Sequence, residues 1–327
     1  MSAADKAATA TRLDASRAGV QRPAGRWGVS LRRPSAPRDP RLQGAAAKRA
    51  ARSALVTASL PTSSARMLPS FLIVGAQRGG TTSMSRTLSQ HPAVFGSLLH
   101  QEVHYFDNAY GRGLGWYRCN FPLSARARRA AGRGAGAAPM AFESSPYYMF
   151  HPLAPERIAR GLPGVKLLVL LRDPVERAYS GYAHEVAHGF ETEPFQRALE
   201  LEPVRLDGEE ERIIAEPGYA SYSHQHHSYR ARGHYAEQLE RLATLFGRER
   251  IHVVDSGDFF VDPEHVYDGV LAFLGLPKRG YPVFKRRNAR PRPVPMPKAV
   301  RAALEEHYRP HDERLATWLG YEPSWRR

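Results

Sequence analysis

Residues 71–82 read FLIVGAQRGGTT, an apolar run followed by a loop that contains three glycines. Residues 71–74 are typical of a buried strand, and the stretch from Thr82 to Gln90 is typical of a helix that ends before Pro92. The glycines have the spacing G-x-x-x-x-G, which lets backbone N–H groups surround an anion at a helix N-terminus. This pattern predicts a strand, a phosphate-binding loop and a helix.

Further strands and helices alternate along the chain. The largely apolar run from Val165 to Leu171 is typical of a parallel strand covered on both faces, and Pro174 stands where the first turn of a helix tolerates proline. A third strand is expected at 251–254, between helical stretches at 235–246 and 266–274. The alternation predicts an α/β fold, a P-loop-like three-layer arrangement in which helices flank a central parallel sheet.

Two polar segments interrupt this alternation. Residues 125–138 are rich in Ala, Gly and Arg, and residues 191–232 are strongly polar. Because both lack a long apolar run, they are predicted to be surface loops or lids.

The basic charge of the chain is concentrated near its start. Of 327 residues, 42% are hydrophobic, which excludes a wholly disordered chain, and the net charge is +15. Residues 1–66 hold 13 Lys+Arg against 3 Asp+Glu, a net of +10, which leaves +5 for residues 67–327. We therefore predict a disordered basic extension over 1–66 and a single domain over 67–327. A polyanion-binding arm, a targeting peptide and a misassigned start upstream of Met67 are alternative interpretations of the extension.

Cysteine content and hydropathy restrict the class further. The lone Cys119 excludes an internal disulfide and a Cys-rich zinc module, and it is expected to be a small buried residue in a reducing compartment. No apolar stretch reaches the roughly 18 to 20 residues that a membrane-spanning helix needs. These features predict a cytoplasmic protein without a membrane span, and they leave its oligomeric state open.

The glycine loop differs from that of nucleoside triphosphatases. Thr81 occupies the position of their lysine, and the loop's cation is Arg78, so the loop is expected to hold a phosphate without gripping a β,γ-diphosphate. The second predicted strand ends at Arg172 instead of a magnesium-binding Asp, which favours a second anion over a metal. Ser180, near the second turn of the following helix, is placed to donate to the same phosphate. A merely solvated pair between Arg172 and Glu176 is the alternative.

Five short motifs accompany these two segments. They are EVHYFD at 102–107, GLGWY at 113–117, ESSPYY at 143–148, RGHY at 232–235 and FLGL at 273–276. Taken together, the chain resembles the sulfotransferases that use 3′-phosphoadenylyl sulfate (PAPS), above all the heparan-sulfate branch and its bacterial relatives. The resemblance covers most of residues 69–325.

The resemblance implies an enzyme that moves a sulfuryl group from PAPS to a hydroxyl or amine of a carbohydrate or small metabolite. Adenosine 3′,5′-bisphosphate is the second product, and no metal, specific nucleic acid or membrane is implied. The residues implied to bind the nucleotide are Arg78, Gly79, Gly80, Thr81, Thr82, Ser83, Arg172, Ser180, Asn288 and Arg290. Those of the glycine loop would hold the 5′-phosphosulfate, and Arg172 and Ser180 the 3′-phosphate. Asn288 and Arg290 belong to a late loop, 288–292, that would close over the nucleotide.

Catalysis requires a carboxylate, because the acceptor hydroxyl loses its proton as the new bond forms. The resemblance assigns this base to Glu102, with His104 and Asp107 orienting it or the acceptor. Arg78 would stabilise charge on the departing phosphate, and Ser144 and Tyr148 would stand on the acceptor side.

Three positions depart from the heparan-sulfate branch. Arg78 replaces the catalytic lysine of the family, and arginine stays charged but is a poor proton donor. Thr82 and Ser144 replace an arginine and a lysine of that branch. These losses favour an acceptor that is less charged than heparan.

One motif indicates a different class. Residues 184–188 read HEVAH, and on a helix this pattern places His184 and His188 one turn apart as zinc ligands, as in a zinc hydrolase. The sequence specifies no third ligand, and the motif lies on the helix that begins at the expected 3′-phosphate site. The basic charge and the glycine loop also leave open a P-loop phosphotransferase and a basic nucleic-acid binder.

Overall fold

The structure is a computed structural model that describes residues 51–100, 102–132, 136–216, 218–285 and 295–327. Its strands are β1 (Pro69–Gly75), β2 (Val94–Phe95), β3 (Met140–Ser144), β4 (Lys166–Leu171) and β5 (Ile251–Asp255). They form one sheet in the order β2-β3-β1-β4-β5, and every pair is parallel. The glycine loop therefore leaves the central strand, with β4 and β5 on one side of it and β3 and β2 on the other.

Helices connect and flank the strands. In chain order they are α1 (Thr81–Leu88), α2 (Tyr105–Asn108), α3 (Gly113–Arg118), α4 (Ser124–Ala131), α5 (Ala154–Gly161), α6 (Pro174–His188), α7 (Phe195–Leu206), α8 (Glu209–Ala215), α9 (Tyr222–His226), α10 (Tyr235–Phe246), α11 (Ser256–Val261), α12 (Pro263–Leu274) and α13 (Lys298–Leu319). Residues 51–58 are also helical. The predicted α/β fold with a central parallel sheet is confirmed.

The apolar run of β4 explains the layered core. Leu167, Val169 and Leu171 face a cluster formed with α2, α3, α5 and α10, whereas Leu168 and Leu170 face a second cluster formed with α1, α11 and α12. All five side chains are completely or almost completely buried. Since successive residues of a strand point to opposite faces, a strand with both faces covered must be apolar throughout.

The two interruptions predicted to be loops contain helices instead. Residues 125–138 include most of α4, and residues 191–232 include α7, α8 and α9. In α7 the buried Phe195, Ala198 and Leu199 recur at helical spacing and form one narrow apolar face. The prediction was wrong because one apolar face in an otherwise charged segment is enough for a helix that packs on a larger domain.

The predicted start of the domain at residue 67 also needs correction. Val56, in the helical stretch 51–58, is fully buried in the core cluster that includes α2, α3 and α10. The guanidinium of Arg66 donates to the backbone oxygen of Phe121 (2.8 Å). Ordered packing therefore begins before Met67, and residues 1–50 of the predicted extension lie outside the described residues.

Two smaller expectations concern Cys119 and membrane insertion. Cys119 is buried, as predicted. In the ranges that the structure describes, no helix combines the length and apolar character needed to cross a bilayer. A cytoplasmic location stays a prediction.

The turn that follows β1 requires glycine at residue 79. A Cβ built there would lie 2.4 Å from the backbone oxygen of Leu170 in β4, a distance at which one of the two must move. The N–H of Ala76 donates to this same oxygen (2.8 Å), so the loop lies directly on β4. The next residue, Gly80, has φ +95° and caps α1, a conformation that residues with a side chain rarely adopt.

We predict that Gly79→Ala lowers the free energy of unfolding by roughly 1–3 kcal/mol, because the new methyl group overpacks against a backbone carbonyl that cannot rotate away. Gly269→Ala is the matched control. This exposed glycine lies inside α12 with open space around its Cα, so alanine should stabilise the protein by about 0.5–1 kcal/mol. Urea denaturation of both variants without ligand measures the difference, and a neutral Gly79→Ala would contradict this packing.

Candidate active site

A cavity of about 750 Å³ opens where the parallel strands end. Its walls come from the segments that follow β1, β3, β4 and β5, which is the edge at which α/β sheets commonly bind ligands. The residues predicted for nucleotide binding that line it are Arg78, Gly79, Gly80, Thr81, Thr82, Arg172 and Ser180. Glu102 and His104, predicted for catalysis with Arg78, line it as well. The cavity thus brings together segments that lie far apart in the chain.

Arg78 joins the glycine loop to α6. Its Nε donates to the hydroxyl of Ser180 (3.0 Å), and its backbone oxygen lies 3.5 Å from a guanidinium nitrogen of Arg172. Arg78 has φ 69°, a left-handed conformation that is uncommon for a residue with a side chain. Such backbone is maintained only when its surroundings hold it in place, and it occurs preferentially at functional sites.

The N-terminus of α1 borders the same cavity. Gly80 is its N-cap, and Thr81 and Thr82 in its first turn line the cavity. The first turn of this fully described helix contains no acidic side chain. The N–H groups and the positive end of the helix dipole are therefore compatible with an anion at this position.

Arg172 leaves the end of β4 and is half-buried. Its guanidinium lies 3.6 Å from the carboxylate of Glu176, which also pairs with Arg301 of α13. Asp173, the next residue, accepts a hydrogen bond from the N–H of Val175 (2.9 Å) and caps α6. The pair between Arg172 and Glu176 that the alternative interpretation requires is present, but Arg172 also lines the cavity.

Three titratable side chains are linked by close contacts at the opposite wall of the cavity. Nε2 of His104 lies 3.0 Å from Oε2 of Glu102, and Nδ1 lies 2.6 Å from Oδ2 of Asp107. Burial lowers the pKa of His104, but the two carboxylates outweigh this effect and raise that pKa well above the ordinary histidine value. The imidazole is therefore protonated near pH 7 and donates to both carboxylates. Glu102 is exposed towards the cavity, whereas the Asp107 side chain is fully buried.

A buried carboxylate positions the backbone of this segment. Oε2 of Glu143 accepts the N–H of Val103 (3.2 Å) and the hydroxyl of Ser145 (2.7 Å), and that hydroxyl also accepts the N–H of His104 (3.1 Å). Burial raises the pKa of Glu143, although these hydrogen bonds oppose the shift. The network holds His104 in a left-handed conformation (φ 52°, ψ 40°), so that its ring stands between the two carboxylates.

Tyr148 belongs to this network and not to the cavity wall. Its hydroxyl donates to Oε1 of Glu143 (2.9 Å) and accepts the N–H groups of Tyr105 (2.8 Å) and Phe106 (3.3 Å). The residue is completely buried. The prediction that Tyr148 contacts the acceptor is therefore corrected: it supports the segment that carries Glu102.

Three more of the predicted residues are also away from the cavity surface. Ser144, at the end of β3, and Ser83, in α1, are buried, so the predicted contacts with acceptor and nucleotide do not fit their positions. Asp107 is buried under His104, which fits orientation of that ring and excludes direct contact with the acceptor. Asn288 and Arg290 lie outside the described residues.

The structure identifies Arg232 as a further residue of the cavity wall. The sequence identified it only as part of a motif. Its guanidinium donates to the side-chain oxygen of Gln77 (2.6 Å) and to the backbone oxygen of Gln225 (2.6 Å), and it stacks on the ring of Tyr147 (4.8 Å). Burial lowers the pKa of Arg232 to about 10, so it stays charged at pH 7.

Ser256, directly after β5, also lines the cavity, and its hydroxyl donates to the backbone oxygen of Gly79. Arg172 was predicted because it is the first residue after a parallel strand, and the same criterion would have identified Ser256.

The side chains of the HEVAH motif of α6 make contacts within the protein. Glu185 is buried and pairs with Nδ1 of His226 (2.9 Å), while Nδ1 of His188 contacts the backbone oxygen of His184 (2.8 Å). Over the described ranges, His184 and His188 gather no third metal-ligating side chain. These contacts do not support the zinc-hydrolase alternative.

Comparison with known proteins identifies the family. Residues 68–286, about two thirds of the chain, match the family model described as the sulfotransferase domain. A crystal structure of a sulfotransferase from Alicyclobacillus acidocaldarius is 30% identical and superposes with a TM-score of 0.57, covering 80% of this chain and 100% of that one. The chain therefore belongs to the sulfotransferase family, which confirms the predicted resemblance.

Two human relatives lie within the predicted branch. Heparan sulfate glucosamine 3-O-sulfotransferase 5 of Homo sapiens is 31% identical over 216 residues, 65% of this chain and 55% of the relative. The bifunctional heparan sulfate N-deacetylase/N-sulfotransferase 2 of Homo sapiens is 30% identical over 216 residues, 64% of this chain and 22% of the relative. The chain spans about half the length of the first of these relatives and less than a quarter of the second.

The positioning role of Tyr148 is testable by Tyr148→Phe. Removing the hydroxyl leaves buried amides without their acceptor, so the free energy of unfolding should fall by about 1–3 kcal/mol. Tyr222→Phe is the control, because that hydroxyl bonds the backbone oxygen of Phe190 from an exposed ring; the change should stay within about 0.5 kcal/mol. Equal stability of the two variants in urea denaturation, with a raised acceptor KM for Tyr148→Phe, would restore Tyr148 to the acceptor site.

Proposed function

We propose that the chain transfers the sulfuryl group of PAPS to a hydroxyl or amine of an acceptor by in-line displacement, with Glu102 as the general base. Members of the sulfotransferase family generally use PAPS as the sulfuryl donor. The observation that carries the proposal is the shared cavity lined by the Arg78 loop, by Arg172 with Ser180, and by the pair Glu102–His104. It combines two sites for anions with one carboxylate base.

The anionic donor fits one side of the cavity. The glycine loop and the N-terminus of α1 would hold the 5′-phosphosulfate, and Arg172 with Ser180 would hold the 3′-phosphate. When the acceptor oxygen attacks sulfur, the bond from sulfur to the bridging oxygen breaks and negative charge develops on the departing phosphate. Arg78 would stabilise that charge while the hydroxyl of Ser180 keeps its guanidinium in place.

The base is best assigned to Glu102 among the three titratable groups. His104 has a raised pKa and is already protonated near pH 7, so it cannot readily take a proton. Asp107 is buried beneath it and does not line the cavity. Glu102 reaches the cavity, and the contact with His104 would keep its carboxylate oriented.

The acceptor proposed is a carbohydrate or small metabolite that carries little negative charge. The two human relatives act on heparan sulfate, according to their names. Thr82 lines the cavity at a position where the resemblance implies an arginine in that branch. Ser144 does not line the cavity, so of these two departures from the branch only Thr82 bears on the charge that the acceptor meets.

A thermal-shift comparison tests the donor. Adenosine 3′,5′-bisphosphate should raise the melting temperature more than ATP does at equal concentration, and addition of a chelator should not change the shift. A larger shift with ATP would favour a phosphotransferase. A shift that the chelator abolishes would favour a metal enzyme, and a response limited to salt-sensitive polyanion binding would favour a nucleic-acid binder.

We predict that Arg172→Ala weakens binding of adenosine 3′,5′-bisphosphate by about 10- to 100-fold, since a charge-assisted contact to a phosphate contributes about 1.5–3 kcal/mol. Arg197→Ala removes the same charge from an exposed position of α7 and should bind normally. Isothermal titration calorimetry measures both affinities. Equal affinities would remove Arg172 from the 3′-phosphate site.

We predict that Glu102→Gln lowers kcat by about 10²-fold or more while PAPS affinity is retained, because glutamine keeps the shape but cannot accept the proton. Glu200→Gln, at an exposed carboxylate of α7, is the control for general effects of the substitution.

Transfer of labelled sulfate to one active acceptor measures kcat and KM for these variants. A raised acceptor KM at nearly normal kcat would mean that Glu102 only binds the acceptor. A fully active Glu102→Gln would overturn the assignment of the base.

A further inference from the structure

Three histidines meet away from the cavity, between the last helix and the segment that leads into α10. His307 and His311 are one turn apart on α13, and His234 directly precedes α10. Their candidate ligand nitrogens all lie within 4.8 Å of one another, and Nε2 of His234 is 3.0 Å from Nε2 of His307. None of the three lines the cavity described above. Within the described residues, no second group of three or more such side chains reaches this proximity.

The spacing is close to what a metal ion requires. Zinc binds imidazole nitrogens at about 2.0–2.1 Å, so two ligands of a tetrahedral site lie roughly 3.3 Å apart. The pair His234 and His307 is near this value. The ring of His311 stacks on that of His234 (centroids 3.8 Å apart, 6° between planes) and would have to rotate to complete the set. All three side chains are half-buried, which leaves an approach from solvent.

A carboxylate lies beside the three histidines, on the side of His311. A carboxylate oxygen of Glu237 lies 3.6 Å from Nδ1 of His311. Histidine ligands of metals commonly have such a carboxylate behind them, which orients the ring and raises its basicity.

We propose that His234, His307 and His311 form a binding site for a divalent transition-metal ion of the zinc class, with a water molecule as the fourth ligand. Imidazole ligands suit zinc, nickel and copper, and three histidines with an open position form a common zinc arrangement. The site is separate from the sulfuryl-transfer chemistry and supplies no group to it.

The metal would join α13 to the segment that carries Arg232. Tyr308, between the two histidines of α13, packs on Gly233 and donates its hydroxyl to the backbone oxygen of Arg230 (3.0 Å). Arg232, in the same short segment, lines the cavity. A metal bound only by the folded chain therefore stabilises both the last helix and one wall of the cavity.

The experiment uses the full chain, freed of metal by a chelator and then titrated with Zn²⁺ in competition with a chromophoric chelator. We expect one equivalent of Zn²⁺ to bind and to raise the melting temperature, and Co²⁺ in its place to give the d–d spectrum of a tetrahedral site. His307→Ala and His311→Gln should each weaken Zn²⁺ binding by more than about 100-fold. Glu237→Gln should weaken it by about 10-fold, because it removes only the outer carboxylate.

A double variant of the histidine pair on α6, His184→Ala with His188→Ala, is the matched control and should keep full Zn²⁺ affinity and the Co²⁺ spectrum. Loss of binding in this control with normal binding in His307→Ala would overturn the proposal and place the metal on α6. Absence of a stoichiometric, tight site in the wild type would leave only hydrogen-bonded histidines and would also overturn it. His311→Gln, at a half-buried position, keeps the test decisive if His307→Ala does not fold, and circular dichroism of each variant establishes folding.

Discussion

The contact between the glycine loop and β4 is the constraint on which the cavity depends. Ala76 donates to the backbone oxygen of Leu170, and Gly79 approaches that same oxygen so closely that no side chain fits between them. This contact directs the loop across the end of the sheet and allows Arg78 to reach Ser180 of α6. Ser256, after β5, bonds the backbone oxygen of Gly79 from the other side. One buried turn therefore aligns the segments that follow three strands.

The opposite wall of the cavity depends on an acidic side chain placed in the core. Glu143 is almost completely buried, and burial disfavours its ionised form, but donors from Val103, Ser145, Tyr117 and Tyr148 satisfy both of its oxygens. A buried carboxylate with this many partners is costly to disturb and holds its partners in fixed positions. The segment that carries Glu102 and His104 is thereby attached to the end of β3, next to the strand that carries the glycine loop.

Local patterns in the sequence were sufficient to predict the parallel sheet and half of the candidate site. The apolar run of β4 and the glycines after β1 indicated the strands and the loop, and the topology of parallel strands placed Arg172 and Arg78 at one edge. The sequence could not distinguish Tyr147, which lines the cavity, from its neighbour Tyr148, which is buried against Glu143. That difference depends on which ring meets backbone amides 42 and 43 residues earlier in the chain. The same holds for Arg232, whose partner Gln77 is 155 residues away.

Arg78 and His104 share a feature that connects the fold to the proposed chemistry. Both have left-handed backbone, at φ 69° and 52°, which costs a residue with a side chain roughly 1–3 kcal/mol. In each case the surrounding hydrogen bonds hold the strained residue: the loop is fixed on Leu170, and His104 is fixed through Ser145 and Glu143. The left-handed turn points each side chain into the cavity from an otherwise buried segment. The packing of the core thus orients the guanidinium and the imidazole before any substrate binds, which is the arrangement that electrostatic catalysis requires.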